Sequence, residues 1–242
     1  TRLVSDWSSD VCSSDLGVHD LTTGTVPSPP VTHTHTVRPY NAATDKQAVY
    51  DVCRKTCDDG ADGTEIFPVH TDLVADKFIG AYLENSPEYC FVVEDAEGVC
   101  GYVLATLDAK AHLEHLETVW IPAMKEKYPT PDKPAGEMSP AEEMIMSLHS
   151  HKNYVPSAPV LTTHPSLIQS AALVDRGAEA GVRLALASAV AALKTNGSQG
   201  IYAEVHVGDR NTVERYNRLG MMEQPRVDSH QPEELVLVAR TV

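Results

Sequence analysis

Apolar and polar positions change period several times along the chain, and each change marks an element. Residues 36–40 (Thr-Val-Arg-Pro-Tyr) alternate as a short strand. Thr44 and Asp45 then offer N-caps to a helix whose apolar face is Ala48, Val49, Val52 and Cys53. The Asp/Gly cluster 58–63 ends that helix as a loop, and residues 72–82 predict a second short helix. Two β-rich runs, 89–94 and 99–105, flank Asp95-Ala96-Glu97-Gly98, which reads as a tight hairpin with Glu94 opposite Val99. That register sets Cys100 opposite Val93 and Cys90 opposite Val103, which argues against a disulfide between them. Residues 108–158 form an insert rich in Lys, Glu, His and Pro, with helical stretches over 111–120 and 141–151.

After the insert an apolar strand, 165–173, runs into Val174-Asp175-Arg176-Gly177-Ala178-Glu179-Ala180-Gly181. A long helix follows, with Val182, Leu186, Val190 and Leu193 on one face and a stop at Asn196-Gly197. A strand at 200–207 should lie beside the first. It leads to a short helix at 212–219, with Asn211 as its cap, Glu214 three residues on and Gly220 as its stop; a last strand spans 234–242. Strands and helices in this order predict one α/β domain over residues 36–242 with a mixed sheet flanked by helices.

Composition narrows the partners. The chain has 242 residues, enough for a core without staples, and its net charge of −15 sets 19 Lys and Arg against 34 Asp and Glu. Residues 1–35 contribute −3 of that, so the acidity belongs to the folded part, and neither nucleic acid nor an anionic membrane is an expected partner. These first 35 residues are Ser/Thr/Asp/Pro-rich with no sustained apolar period, and disorder is expected there. Their string SDWSSDVCSSDL resembles translated sequencing-adapter read-through, so Trp7 and Cys12 carry no functional weight. The longest largely apolar stretch, 184–193, falls short of the roughly 20 residues of a bilayer span. With no recognisable signal peptide, a cytoplasmic protein is expected.

No metal is expected. Cys12, Cys53, Cys57, Cys90 and Cys100 are odd in number and lack ligand spacing, and they read as reduced thiols. His33 and His35 stand in a Pro-rich linker. His112, Glu114, His115, Glu117, His149 and His151 show no H-E-x-x-H register and read as solvated helix faces. The Asp58 loop places Gly60 where a calcium loop needs an acid, and reads as a turn.

The informative chemistry lies between the apolar strand and the long helix, where a Gly-bearing loop presents backbone N–H groups and the positive end of a helix dipole. Arg176-Gly177-Ala178-Glu179-Ala180-Gly181 resembles the Q/R-x-x-G-x-G/A motif of the GNAT acyltransferase superfamily, and Tyr216-Asn217-Arg218-Leu219-Gly220-Met221 resembles its Y-x-x-L-G-F signature. Further segments resemble the acetyltransferase-like C-terminal domain of the O-GlcNAcase family and its free-standing bacterial relatives, almost continuously over 36–242. They include Val37-Arg38-Pro39-Tyr40, Cys57-Asp58-Asp59-Gly60, Phe91-Val92-Val93-Glu94-Asp95, Glu126-Lys127-Tyr128-Pro129 and Pro165-Ser166-Leu167-Ile168-Gln169.

The resemblance implies a GNAT-like mixed central β-sheet, with the helical insert between hairpin and cofactor strand. It also implies acetyl-CoA as co-substrate and a small or peptidic amine as acceptor. It assigns the cofactor to Leu173, Val174, Arg176, Gly177, Ala178, Glu179, Ala180, Gly181 and Val182, and the proton for the leaving thiolate to Tyr216. Asp209 then positions or deprotonates the acceptor, or simply caps the helix. Apart from the resemblance, the acids Asp58, Asp59 and Asp62 and the insert residues Trp120 and Glu143 are expected to line a cleft that attracts a cationic amine, or to serve solubility alone. Glu179 departs from the motif: it stands where the first fixed glycine belongs and adds a negative charge beside two anionic phosphates. Arg176, Arg183 and Lys194 offer compensation, and Arg210, Arg215 and Arg218 lie on or beside the second helix. The alternative implied by Glu179 is a degenerate acetyltransferase fold kept as a binding or interaction module.

Overall fold

The computed structural model describes residues 34–226 and 230–242. The expected disorder of the first 35 residues, Trp7 and Cys12 included, lies outside the described residues apart from 34 and 35. In chain order the elements are β1 (Thr36–Pro39), α1 (Lys46–Arg54), α2 (Leu73–Phe78), α3 (Gly80–Asn85), β2 (Phe91–Asp95), β3 (Gly98–Thr106) and α4 (Ala109–His115). A π-helical turn (Leu116–Trp120) follows, then α5 (Ile121–Lys127), α6 (Pro140–His149), α7 (Ala158–Thr163), β4 (Ser166–Ala172), α8 (Glu179–Thr195), β5 (Gly200–His206), α9 (Arg210–Asn217), β6 (Met222–Glu223) and β7 (Leu235–Thr241). The strands form one mixed sheet in the order β1-β2-β3-β4-β5-β7-β6, in which only β4 and β5 run parallel.

Helices cover both faces. Gly101 and Tyr102 are neighbours on β3 and point opposite ways. A Cβ on Gly101 would lie 2.6 Å from Val182 of α8, whereas Tyr102 meets Cys53 of α1. The α8 face is closed by Val182, Ala185, Leu186, Ala189 and Leu193, all fully buried. The insert is tied to the α1 face through Asp76. This carboxylate is 2% exposed and accepts from Tyr50 Oη (2.8 Å), Tyr128 Oη (2.6 Å) and Lys127 Nζ (2.6 Å), while the Asp76 carbonyl accepts from Trp120 Nε1 (2.7 Å). One residue thereby joins α1, α2, the π-helical turn and α5 of the insert.

Several expectations need correction. The hairpin pairs Glu94 with Val99 but Val93 with Gly101, because a β-bulge at Val93/Glu94 absorbs Cys100; Phe91, not Cys90, faces Val103. The four described cysteines are nevertheless free. The helix expected over 72–82 is two short helices, because Ile79 (φ −126°, ψ −20°) leaves helical geometry. The cap of α9 is Asp209, whose carboxylate accepts the Thr212 N–H at 3.0 Å; Asn211 already lies within the helix. His112 is 1% exposed, its ring stacked on Tyr82 (centroids 4.2 Å apart), and burial lowers its pKa to about 4. His35 is not free in a linker either: its Nε2 lies 2.9 Å from the Arg176 carbonyl oxygen. Among the described residues no helix is long and apolar enough to cross a membrane. The one group of potential metal ligands found there, His35, Asp95 and Cys100, has Asp95 paired with the Arg176 guanidinium, which sets a positive charge against any cation.

Candidate functional site

The two parallel strands separate almost as soon as they meet. β4 and β5 pair only at Ser166/Ile201 and Leu167/Tyr202. From there β4 follows β3 to Ala172/Gly101, and β5 follows β7 to His206/Leu235. The inner edge of β4 beyond Leu167 therefore lacks a strand partner, and its polar backbone groups need other partners. The gap opens into a cavity of about 600 Å³ lined by β4, the end of β5, the start of α9, the Asp59-Gly60 turn and the insert helices.

At the head of β4 the chain turns into α8. Gly177 adopts φ 63°, the left-handed conformation that glycine tolerates best, and the Ala178 N–H returns to the Leu173 carbonyl at 3.2 Å. Ala178 gives α8 no side-chain cap, so the amides of its first turn, at Glu179, Ala180 and Gly181, have no acceptor from the helix or its cap. Leu173 and Val182 are buried beneath the turn, and Val174 is exposed at the cavity rim. Gly181 is small for a packing reason: a Cβ there would lie 2.4 Å from Val93 Cγ1.

The charges around the turn differ from the sequence reading. Arg176 faces the hairpin, where it pairs with Asp95 and donates to the Gly98 carbonyl at 2.9 Å, and so it offers the turn no compensation. That role falls to Arg215 of α9. Glu179 accepts from Arg215 in a bidentate fork, Nη2 to Oε1 at 2.6 Å and Nε to Oε2 at 2.9 Å. The Arg215 side chain is 4% exposed, and its Nη1 donates to the Ser170 carbonyl (3.3 Å) and Oγ (3.2 Å) on the open edge of β4. Burial works against the guanidinium charge, Glu179 more than offsets it, and the net shift of the Arg215 pKa is upward.

Tyr216, the next residue, is 1% exposed and does not reach the cavity wall; its Oη accepts from Ser170 Oγ at 3.0 Å. Burial pushes its phenol up to about 12, against the Ser170 hydrogen bond and the Arg215 charge. Asp209 does line the cavity, although its Oδ1 is engaged as the α9 cap. Of the acceptor residues expected from sequence, the structure brings Asp59 alone to the cavity. It sits at φ 48° with Oδ1 2.7 Å from His206 Nδ1. Asp58 bridges Ala61 through the backbone, and Asp62 caps the Thr64 N–H at 2.8 Å. Trp120 is 6% exposed and packs on Gly80 and Asp76 in the core, because its indole N–H needs the Asp76 carbonyl.

The sequence reading missed Glu204. It faces the cavity from β5, its Oε1 is sealed from solvent without a hydrogen-bond partner among the described residues, and burial pushes its carboxyl up to about 7. A signal was present: Tyr202, Glu204 and His206 alternate with Ile201, Ala203 and Val205, a polar face on a central strand.

No protein-family model matches the chain. Mouse O-GlcNAcase is 34% identical over 228 residues, and rat O-GlcNAcase is 34% identical over 226. Each match covers 93% of this chain, which spans 24% of the length of either relative. The crystal structure of SsHAT superposes with a TM-score of 0.70 and 25% identity, over 86% of this chain and 98% of SsHAT. PH1933 from Pyrococcus horikoshii OT3, 10% identical over 86% of this chain and 99% of its own, shares the fold with a TM-score of 0.51.

Proposed function

Starting from the premise that the chain is a GNAT-like acetyltransferase-fold domain homologous to the C-terminal region of O-GlcNAcase, we propose that it transfers an acetyl group from acetyl-CoA to an amine in the cytoplasm. The observation that carries this reading is the divergence of β4 from β5, which leaves an open strand edge leading from an uncapped helix N-terminus into a cavity. The residues present fit such a co-substrate. Unsatisfied first-turn amides and the dipole of a 17-residue helix favour a diphosphate. The acid in the first turn of that helix, Glu179, is matched by Arg215.

When bound, acetyl-CoA supplies an activated acyl carbon and a thiolate leaving group. The first turn of α8 and the open edge of β4 would hold it. This chain's own contributions are electrostatic and protic. The α8 amides carry partial positive charge, and Arg215 cancels the Glu179 carboxylate. The Tyr216 phenol, raised to about 12, keeps its proton at neutral pH; it sits behind Ser170 on the open edge of β4, so its donation to the sulfur requires the co-substrate to reach that edge. Calorimetry with acetyl-CoA tests the reading. Saturable binding, with turnover lost in Tyr216→Phe, supports it, and no binding at millimolar concentration refutes it.

One observation favours a second reading, a degenerate fold that serves as a binding module. Arg215 already donates to the Ser170 carbonyl on the open edge, and with Glu179 it spans the entrance from α8 to α9. On that reading the wild-type chain binds no acetyl-CoA and Glu179→Gly restores binding.

A further inference from the structure

The charged side chains of the cavity are almost all spoken for. Lys77 donates to Ser147 Oγ, Asp59 pairs with His206, Arg215 with Glu179, and Asp209 accepts an amide N–H. His151 lies 2.5 Å from Asn153 Oδ1. Glu204, half-buried with its Oε1 sealed from solvent, has no such partner among the described residues, and a sealed carboxylate oxygen without one is costly unless a ligand supplies it. The opposite wall is apolar and comes from the helices: Val74 and Phe78 of α2, Leu113 of α4, Leu116 of the π turn and Met144 of α6. Phe78 is 48% exposed at the edge of the cavity, with Lys77 Nζ 5.0 Å from its ring centroid.

We propose that Glu204 is the catalytic residue that receives the acceptor, and that the acceptor is a primary amine carried on an apolar body, of the arylalkylamine or alkylamine class. The ammonium group meets the carboxylate on the sheet side, and the ring or chain lies against Val74, Phe78, Leu113, Leu116 and Met144. A polyamine would bury a second ammonium against that wall, close to the Lys77 ammonium that already lies there. The volume of about 600 Å³ admits such a molecule whole.

This inference rests on the acetyl-transfer reading for its chemistry, and the protons balance. The ammonium gives one proton to Glu204. The freed lone pair attacks the thioester carbonyl carbon, the C–N bond forms and the C–S bond breaks. A second proton leaves with the sulfur as thiol, and the third stays on the amide nitrogen. Glu204 returns its proton to solvent at the cavity mouth, where half-exposed His206 lies two residues along the same strand face. A carboxyl held near 7 takes a proton from an ammonium at less cost than an ordinary glutamate does.

The test reads amine binding without acetyl-CoA, by calorimetry on the full chain at about pH 8, where Glu204 is ionised. 2-Phenylethylamine should bind at least about tenfold tighter than ethylamine or spermidine. Glu204→Gln should weaken it about tenfold to a hundredfold, with 2-phenylethanol unaffected. Phe78→Ser, at an exposed position that does not threaten folding, should weaken 2-phenylethylamine several-fold and leave ethylamine unchanged. In acetyl transfer, the limb of the kcat/KM profile near pH 7 should vanish in Glu204→Gln. Unchanged amine affinity in Glu204→Gln, or a preference for spermidine, overturns the inference. Acetylation that proceeds unimpaired in Glu204→Gln overturns it and keeps the acetyl-transfer reading. Amine binding through Glu204 with no acetyl transfer overturns the transfer reading, and with it the catalytic role, and leaves only an amine site.

Discussion

Replacing Glu179 by glycine, the residue that the cofactor motif asks for, removes half of a buried ion pair. Breaking such a pair from one side typically costs about 3–5 kcal/mol. Two features of this pair reduce the figure. The Glu179 side chain is 31% exposed, so part of its charge is already solvated, and Arg215 keeps Ser170 O, Ser170 Oγ and Thr212 Oγ1 as acceptors. A loss of about 2 kcal/mol remains, which lowers Tm by roughly 4–8 °C in a domain of this size. Arg215→Met fills similar volume and leaves its partner free to hydrate, so it should cost about 1 kcal/mol. The double variant should be no worse than Glu179→Gly alone, a coupling of about 1 kcal/mol. Thermal denaturation followed by circular dichroism measures all four corners of the cycle. The same substitution removes a carboxylate from a helix N-terminus and should tighten acetyl-CoA about two- to fivefold. A Tm within about 1 °C of wild type, or costs that simply add, would refute the claim that the pair is a coupled unit.

Three further outcomes follow from the geometry. Asp76→Ala strands two buried phenol donors, Tyr50 and Tyr128, and releases the half-exposed Lys127 ammonium to solvent, and should cost about 2–4 kcal/mol; proteolysis should then cut first in the insert, which Asp76 ties down. Asp209→Ala removes the α9 cap and should cost about 1 kcal/mol, with Asp209→Asn close to neutral. Glu204 has a folded-state pKa of about 7, raised above its ordinary value. Its contribution to stability is therefore full below about pH 4.5 and lost as the pH rises through about 7. The Tm of wild type relative to Glu204→Gln should fall across that window, and a flat difference would contradict the assignment.

Most of the scaffold was legible because period and punctuation agreed. The long helix after the cofactor turn, with Val182, Leu186 and Leu193 inward and Gly197 beyond its end, follows from apolar spacing and a stop signal alone. The hairpin partners were misplaced by one residue because a bulge leaves no trace in a run as uniformly apolar as Val92-Val93 and Val99-Cys100. Tyr216 and Asp209 were singled out from motif and spacing, and of the two Asp209 lines the cavity; Arg215 and Glu204, which also line it, were not singled out. Arg215 looked like one of several cations on a short helix until the fold set it beside Glu179. Glu204 needed the strand's polar face to be recognised as the wall of a cavity. Trp120 erred the other way: an aromatic in a polar insert reads as a cleft residue, and its burial depends on the Asp76 carbonyl, 44 positions earlier in the chain.

The packing of Gly181 on Val93 separates a signature from its chemistry. Because the strand beneath forbids any larger residue there, selection for folding alone preserves this glycine after ligand binding has ceased to matter. A descendant that had abandoned catalysis would still spell the second half of the motif correctly, and only the first half, at Glu179, is free to record what happened to the reaction.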